Sequence, residues 1–216
     1  RDLHRVDRRQ RQMCIRDSIG PVRIQSQLAN WTPKVTFVSS GWTCPSIPHS
    51  PGKCGHILSR MGKDQARNAK VVKLGAHCYR AGRTTVVFSD LAVEKHLGHL
   101  KRGLIGAGVP ADEIAYYVGG MTAKQRDQAA GKKILLATYQ MMSTGTNIPW
   151  LDCAILASPR SDVRQTVGRI LREYPDKDQP MVIDVIDAGS RVFDGYARKR
   201  LAWYREIGAK CKQVNM

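Results

Sequence analysis

Between Thr84 and Ile186 the chain repeats one device: a short, unbroken apolar run, a turn, then a helical stretch. The runs are Thr84–Ser89 (TTVVFS), Ile114–Val118, Lys133–Thr138 with its core Ile134–Ala137, Cys153–Leu156 and Met181–Ile186 (MVIDVI). A strand with one wet face alternates apolar and polar residues. These runs do not alternate, so both of their faces must be covered. Helices expected at Leu91–Ala107, Ala123–Ala130, Val163–Leu171 and Ser190–Ile207 supply the cover. The pattern points to an α/β domain of three layers, a mostly parallel sheet flanked by helices. Lys34–Ser40 (KVTFVSS) adds a strand, and Ile57–Arg80 reads as one long helix stopped by Gly82. The polar face of that helix would carry Arg60, Lys63, Arg67, Lys70 and Lys73.

A length of 216 residues suits one domain, or one domain and a fragment. The formal charge is +17; residues 1–18 contribute +3 of it and the remainder holds +14. An excess spread along the chain calls for a polyanionic partner, and nucleic acid is the commonest one. No apolar run approaches the ~20 residues that cross a bilayer, so no membrane partner is expected and the location is read as cytoplasmic. Six scattered cysteines with no CxxC pair favour reduced thiols. Cys44, His49, Cys54 and His56 lie in a Pro-rich loop, Gly41–Gly55, at a spacing that does not suit zinc, so no metal site is expected. Residues 1–18 lack apolar periodicity, and Met13–Ser18 resembles a translated sequencing adapter. That segment is set apart as non-native or disordered, and residues 19–55 are taken as a connection and loop ahead of a domain at 56–216.

The familiar nucleotide-hydrolysing parts are missing from the sequence. There is no GxxxxGK[ST] loop, no Asp-Glu pair closing a strand, and no GxGxxG between strand and helix. His77, His96 and His99 are read as surface or half-buried helix residues rather than as bases. What is present is a polar loop beyond a strand end, with Thr138, Thr144, Gly145, Thr146 and Asn147. Hydroxyls, an amide and free backbone N–H groups there suit phosphate or ribose. Arg169 and Arg172, three residues apart, would share one helical face, and paired guanidiniums suit a phosphoryl group.

Four segments then resemble superfamily 2 helicases, in the order that family uses. Gln165-x-x-Gly168-Arg169-x-x-Arg172 looks like motif VI, and Ala137-Thr138 through Gly145-Thr146-Asn147-Ile148-Pro149 looks like motif V. Val86–Asp90 resembles motif IV, and Val118–Thr122 with Arg126 resembles the glycine-bearing segment after it. The likeness spans residues 19–216, takes in Asp64–Asn68, and is nearest to phage and viral helicases related to type III restriction subunits. It implies a RecA-like domain, the second of two that clamp ATP and Mg²⁺, with the phosphate-gripping first domain missing from this chain. By the same likeness Arg172 would be the arginine finger, Arg169 its companion in the cleft, and Gln165 a nucleotide sensor. Gly145, Asn147 and Gly168 would face the nucleotide, while Ser89, Gly120 and Thr138 would face the nucleic-acid backbone. Asn147 stands where the family usually has Asp. DNA is favoured over RNA as the track, and a phage or viral source would place the protein in the host cytoplasm. The alternatives are a non-enzymatic nucleic-acid-binding module and a restriction-modification translocase subunit.

Overall fold

The computed structural model describes residues 31–44, 54–91, 93–143 and 147–214. Trp31–Met216 forms one compact unit. Its sheet contains β1 (Lys34–Thr43), β2 (Thr85–Ser89), β3 (Ile114–Tyr117), β4 (Ile134–Thr138), β5 (Cys153–Leu156), β6 (Met181–Ala188) and β7 (Lys210–Val214). The strands lie in the order β3-β4-β2-β5-β6-β1-β7, and every pairing is parallel. The helices are α1 (Cys54–Lys63), α2 (Gln65–Arg80), α3 (Leu97–Gly106), α4 (Ala123–Ala130), α5 (Tyr139–Ser143), α6 (Arg164–Ile170) and α7 (Arg191–Glu206).

Alternate residues of each central strand serve opposite layers, because side chains change face at every step along a strand. Val87, Leu136, Ile155 and Ile183 are neighbours in register and point to the layer holding α2 and α3, where they meet Val71, Leu74, Leu100 and Leu104. Val86, Phe88, Leu135 and Leu156 are equally buried on the other face. There Phe88 stacks on Tyr139 of α5 at 5.1 Å between ring centroids. Strands β2, β4 and β5 thus bury both faces, which is why their sequences are unbroken apolar runs.

The last long strand carries two aspartates on opposite faces, and each takes an arginine from a different layer. Asp187 accepts from Arg67 of α2 at 2.6 and 2.9 Å. Asp184 accepts from Arg200 of α7 at 2.8 and 2.7 Å. Both arginines also donate to carbonyls of the segment after β5: Arg67 to Ala157 at 2.8 Å and Arg200 to Arg160. Both ion pairs are sealed from solvent.

Helix α4 and strand β5 fall where the sequence puts them. The long helix expected over Ile57–Arg80 does not form as one piece. It breaks at Asp64, whose Oδ1 accepts the Arg67 N–H at 2.8 Å and caps α2. An aspartate competes better as a cap than as a helix interior residue. Arg67, expected on the solvated face, is fully buried. The expected helix at Leu91–Ala107 resolves into a 3-10 turn at Val93–Lys95 and then α3. The strand expected at Lys34–Ser40 forms as β1, seated between β6 and β7. Strand β7 and helix α5 had no sequence counterpart. β7 is almost wholly exposed and carries no apolar run, and α5 is only five residues long.

Replacing Arg67 by Met strands Asp187 in the core and should cost about 3–5 kcal/mol in urea unfolding. Adding Asp187→Leu to that variant should recover most of the loss, measured the same way.

Candidate functional site

Helix α6 reads RQTVGRI. Thr166, Val167 and Ile170 are buried beneath it, which leaves Gln165 exposed and Gly168 and Arg169 half-exposed on the outer side. A Cβ built on Gly168 would meet nothing within 4 Å, so the space beside it is open to an incoming group. The helix ends one residue sooner than expected, at Ile170, with Leu171 as its cap. Arg172 therefore stands just beyond the helix rather than on a shared helical face with Arg169. Pro175 disfavours helical backbone at Tyr174, and Asp176 adopts φ 57°, so the chain turns away at once.

The structure brings Arg172 and Asn147 together: Arg172 Nη1 donates to Asn147 Oδ1 at 2.6 Å on an exposed surface. Burial, and then the positive charge of Arg172, hold Arg169 below the ordinary arginine range. Two guanidiniums are thus kept close enough to repel, with an amide oxygen fixing one of them. Such a cluster suits a polyanion such as a nucleotide triphosphate, which supplies the missing negative charge when bound. Gly145, together with Thr144 and Thr146, lies outside the described residues.

A second group of expected residues lies elsewhere. Ser89 and Thr138 are register partners at the carboxyl ends of β2 and β4. Gly120 follows the next strand over, β3, in an exposed turn at φ 85°, a backbone that only glycine holds without strain. Thr122 then starts α4 with a capping box. Along this edge Thr138 is half-buried, whereas Ser89 is fully buried. The Ser89 hydroxyl accepts the Leu91 N–H at 3.0 Å and donates to His96 Nδ1 at 2.8 Å. His96 Nε2 donates to Asn68 Oδ1 at 3.1 Å, and Asn68 Nδ2 donates to the Gly62 carbonyl at 2.8 Å.

This Ser–His–Asn line has the outline of a hydrolase triad but not its function. Ser89 and His96 are 0% exposed and Asn68 is 8%, so no substrate reaches the hydroxyl. His96 is thus a core residue, whereas the sequence reading had it at or near the surface. His77 and His99 are exposed, as read. Burial, followed by the charges of Arg67 and His99, lowers the His96 pKa to about 3, so the ring stays neutral.

Three further contacts were missed by the sequence reading. Arg160 binds Asp90 at 2.6 Å and lies over the Tyr139 ring at 5.0 Å. The Asp90 N–H donates to Ser158 Oγ at 2.8 Å, which ties the ends of β2 and β5 together. Burial, opposed by Arg160, raises the Asp90 carboxyl above its usual range. The Ser-Pro-Arg run after β5 was the available signal, since a charged turn beyond a buried parallel strand falls at the binding edge of such a sheet. Among the described residues no group of three or more His, Cys, Asp or Glu is placed to hold a metal ion. His49 and the Cys54 side chain lie outside them. No described helix is long and apolar enough to cross a membrane.

The structure of the C-terminal domain of the DEAD-box protein Dbp5 aligns with 85% of this chain and 91% of its own, at TM-score 0.54 and 14% identity. This chain shares that domain's fold, an α/β RecA-like layering around a parallel sheet. Longer chains contain this fold as one part. T4 UvsW aligns over 86% of this chain and 42% of its own, at TM-score 0.61 and 20% identity. S. cerevisiae Dbp5 bound to RNA and ADP BeF3 aligns over 95% of this chain and 48% of its own, at TM-score 0.55 and 13% identity. In sequence, a protein of Acanthamoeba polyphaga mimivirus named "Putative ATP-dependent RNA helicase L396" is 33% identical over 93 residues. That match covers 43% of this chain and 18% of the relative, so the chain spans under a fifth of that protein's length. No family model matches the chain.

A neutral buried histidine makes stability depend on pH. The unfolded ring protonates near 6.5 and the folded one near 3, so stability is lost as pH falls between those values. Between pH 7 and pH 4 the parent chain should lose roughly 3 kcal/mol more than His96→Gln, which has no ring to titrate. Urea unfolding at the two pH values measures it.

Proposed function

We propose that this chain is the second motor domain of an ATP-dependent superfamily 2 helicase or translocase, working within a larger protein. The single observation that carries the reading is the Arg172–Asn147 pair at 2.6 Å beside Arg169, on the segments that resemble motifs V and VI. The short coverage of the mimivirus relative and of T4 UvsW supports a larger parent.

In this reading Arg172 is the arginine finger and Arg169 its companion. Asn147 hydrogen-bonds Arg172 and so aims it, which offers a use for an amide where the family has a carboxylate. Gln165 and the open side of Gly168 complete the face that meets ATP, and Gly145 belongs to the same loop by resemblance. ATP with Mg²⁺ supplies a phosphoryl group whose charge spreads over several oxygens, and rigid guanidiniums stabilise that charge. By the family resemblance Mg²⁺ would be held mainly by the first domain. Nucleic acid would run along the carboxyl ends of β2, β4 and β3. Thr138 and the Gly120 turn face it, with Ser89 bracing the end of β2 from beneath. DNA is the expected track, but the mimivirus relative's name and the Dbp5 complex both say RNA, so both need testing.

The 216-residue chain alone should show no meaningful ATPase. The parent protein should hydrolyse ATP, and Arg172→Ala within it should lower kcat by ~10³ or more. Near-normal turnover in that variant would sink the finger assignment. The chain should also bind single-stranded DNA and RNA oligonucleotides, weakening steeply between 50 and 200 mM salt. Fluorescence anisotropy on both nucleic acids reads this, and absence of binding to either at low salt counts against the reading.

A further inference from the structure

Arg172 lies beyond the end of α6, so helical hydrogen bonding does not hold its backbone firmly; its own N–H reaches the Arg169 carbonyl only at 3.4 Å. Asn147 likewise stands outside regular structure. Something else must keep these two residues in register, and the structure places a lysine between them. Lys177 Nζ donates to three carbonyls: Ile170 at 2.7 Å, Arg172 at 2.8 Å and Pro149 at 2.8 Å. One acceptor ends α6, one is the arginine itself, and one sits two residues after Asn147. An ammonium has three N–H bonds, and all three are used.

We propose that Lys177 is a positioning residue, whose ammonium gathers the motif V-like loop and the end of the motif VI-like helix and so sets where Arg172 and Asn147 stand. The proposal rests on reading Arg172 as the phosphate-facing arginine. A cation at the C-terminal end of α6 is also the favourable sign for the helix dipole. The loop around it is built to hold the lysine in place. Its own N–H donates to the Tyr174 carbonyl at 3.3 Å, and Tyr174 meets Trp150 edge-on at 5.9 Å. The charged groups around this junction are Asp152, Arg83, Asp178 and Arg172; Arg83 lies 3.8 Å from Asp152 and 3.9 Å from Asp178. Burial, opposed by Asp152, draws the ammonium down to about 8, so Lys177 is held in a costly place. A solvated surface lysine would carry no such burden. In this proposal Lys177 acts through the backbone that it gathers.

Lys177→Met keeps the stem and removes all three donors. In the 216-residue chain, side-chain NMR signals of Arg172 and Asn147 should shift or broaden in this variant, while amide signals of β2 and β4 stay in place. In the parent protein, kcat for ATP should fall about 10- to 100-fold with KM for ATP changed less than about threefold, the size expected from misplacing a reacting group by an ångström. Unmoved Arg172 and Asn147 signals, or an unchanged kcat, overturn the proposal. The two failures separate cleanly. If Arg172→Ala also turns over normally, the finger reading is wrong. If Arg172→Ala is crippled and Lys177→Met is not, only the positioning role is wrong. Should Lys177→Met fail to fold, Lys177→Gln, which keeps one amide donor group, takes its place in both measurements.

Discussion

Two carboxylates on one strand organise the domain. β6 is otherwise apolar, yet it places Asp184 toward one helical layer and Asp187 toward the other, and each meets a buried arginine two-pronged. A buried pair of this kind adds little net stability over an apolar filling of the same volume, since desolvation consumes most of the Coulomb gain. What it offers is geometry, because a guanidinium facing a carboxylate accepts few orientations. Both arginines spend a remaining donor on the 157–160 segment that leads into α6. The start of the arginine-bearing helix is therefore referenced to the sheet from both faces at once.

The far end of that helix is referenced differently. Leu171 closes it with a backbone N–H to the Arg169 carbonyl, and Lys177 collects the carbonyls of Ile170 and Arg172 together with one from the Asn147 loop. The surface so formed is fixed at the front by ion pairs and at the back by one ammonium. The carboxyl edge of the sheet is a separate surface, tied by Arg160–Asp90, Ser158 and the Ser89–His96–Asn68 line. A domain with two surfaces, each braced by its own network, suits a part that must meet one ligand on one side and another ligand elsewhere.

The sheet was legible because double burial leaves a direct trace: TTVVFS, ILLAT and CAIL admit few readings other than covered strands. Helix α4 falls where the sequence puts it, and the structure adds the reason it starts there, a capping box at Thr122. The break at Asp64 was not, since apolar spacing runs straight through it and a cap is a matter of one side chain choosing the backbone over solvent. Arg67 was misread for the same reason, as a charged residue reads as exposed until its partner, 120 residues away, is seen. His96 needed partners from two other segments to become a core residue, and short-range periodicity carries no word of them. Arg169 and Arg172 were found by spacing, yet their shared helical face was not observed, because Pro175 and the Asp176 turn end the helix early. Edge strand β7 left no apolar trace because it is almost wholly exposed.

The line from Ser89 through His96 and Asn68 to the Gly62 carbonyl has a sense as well as a set of distances. Leu91 feeds a proton donor into Ser89, and every later member passes one on in the same direction, ending on a carbonyl that can only receive. Such a line behaves like a one-way street. Since His96 stays neutral, one tautomer serves at all ordinary pH values and the direction does not reverse. Asn68 is then irreplaceable by its nearest shape-mate: an aspartate would receive from His96 but have nothing to hand to Gly62, leaving two oxygens face to face at the joint between α1 and α2. The polarity of a buried hydrogen-bond line thus dictates an amide over a carboxylate at a position where size and shape alone would accept either.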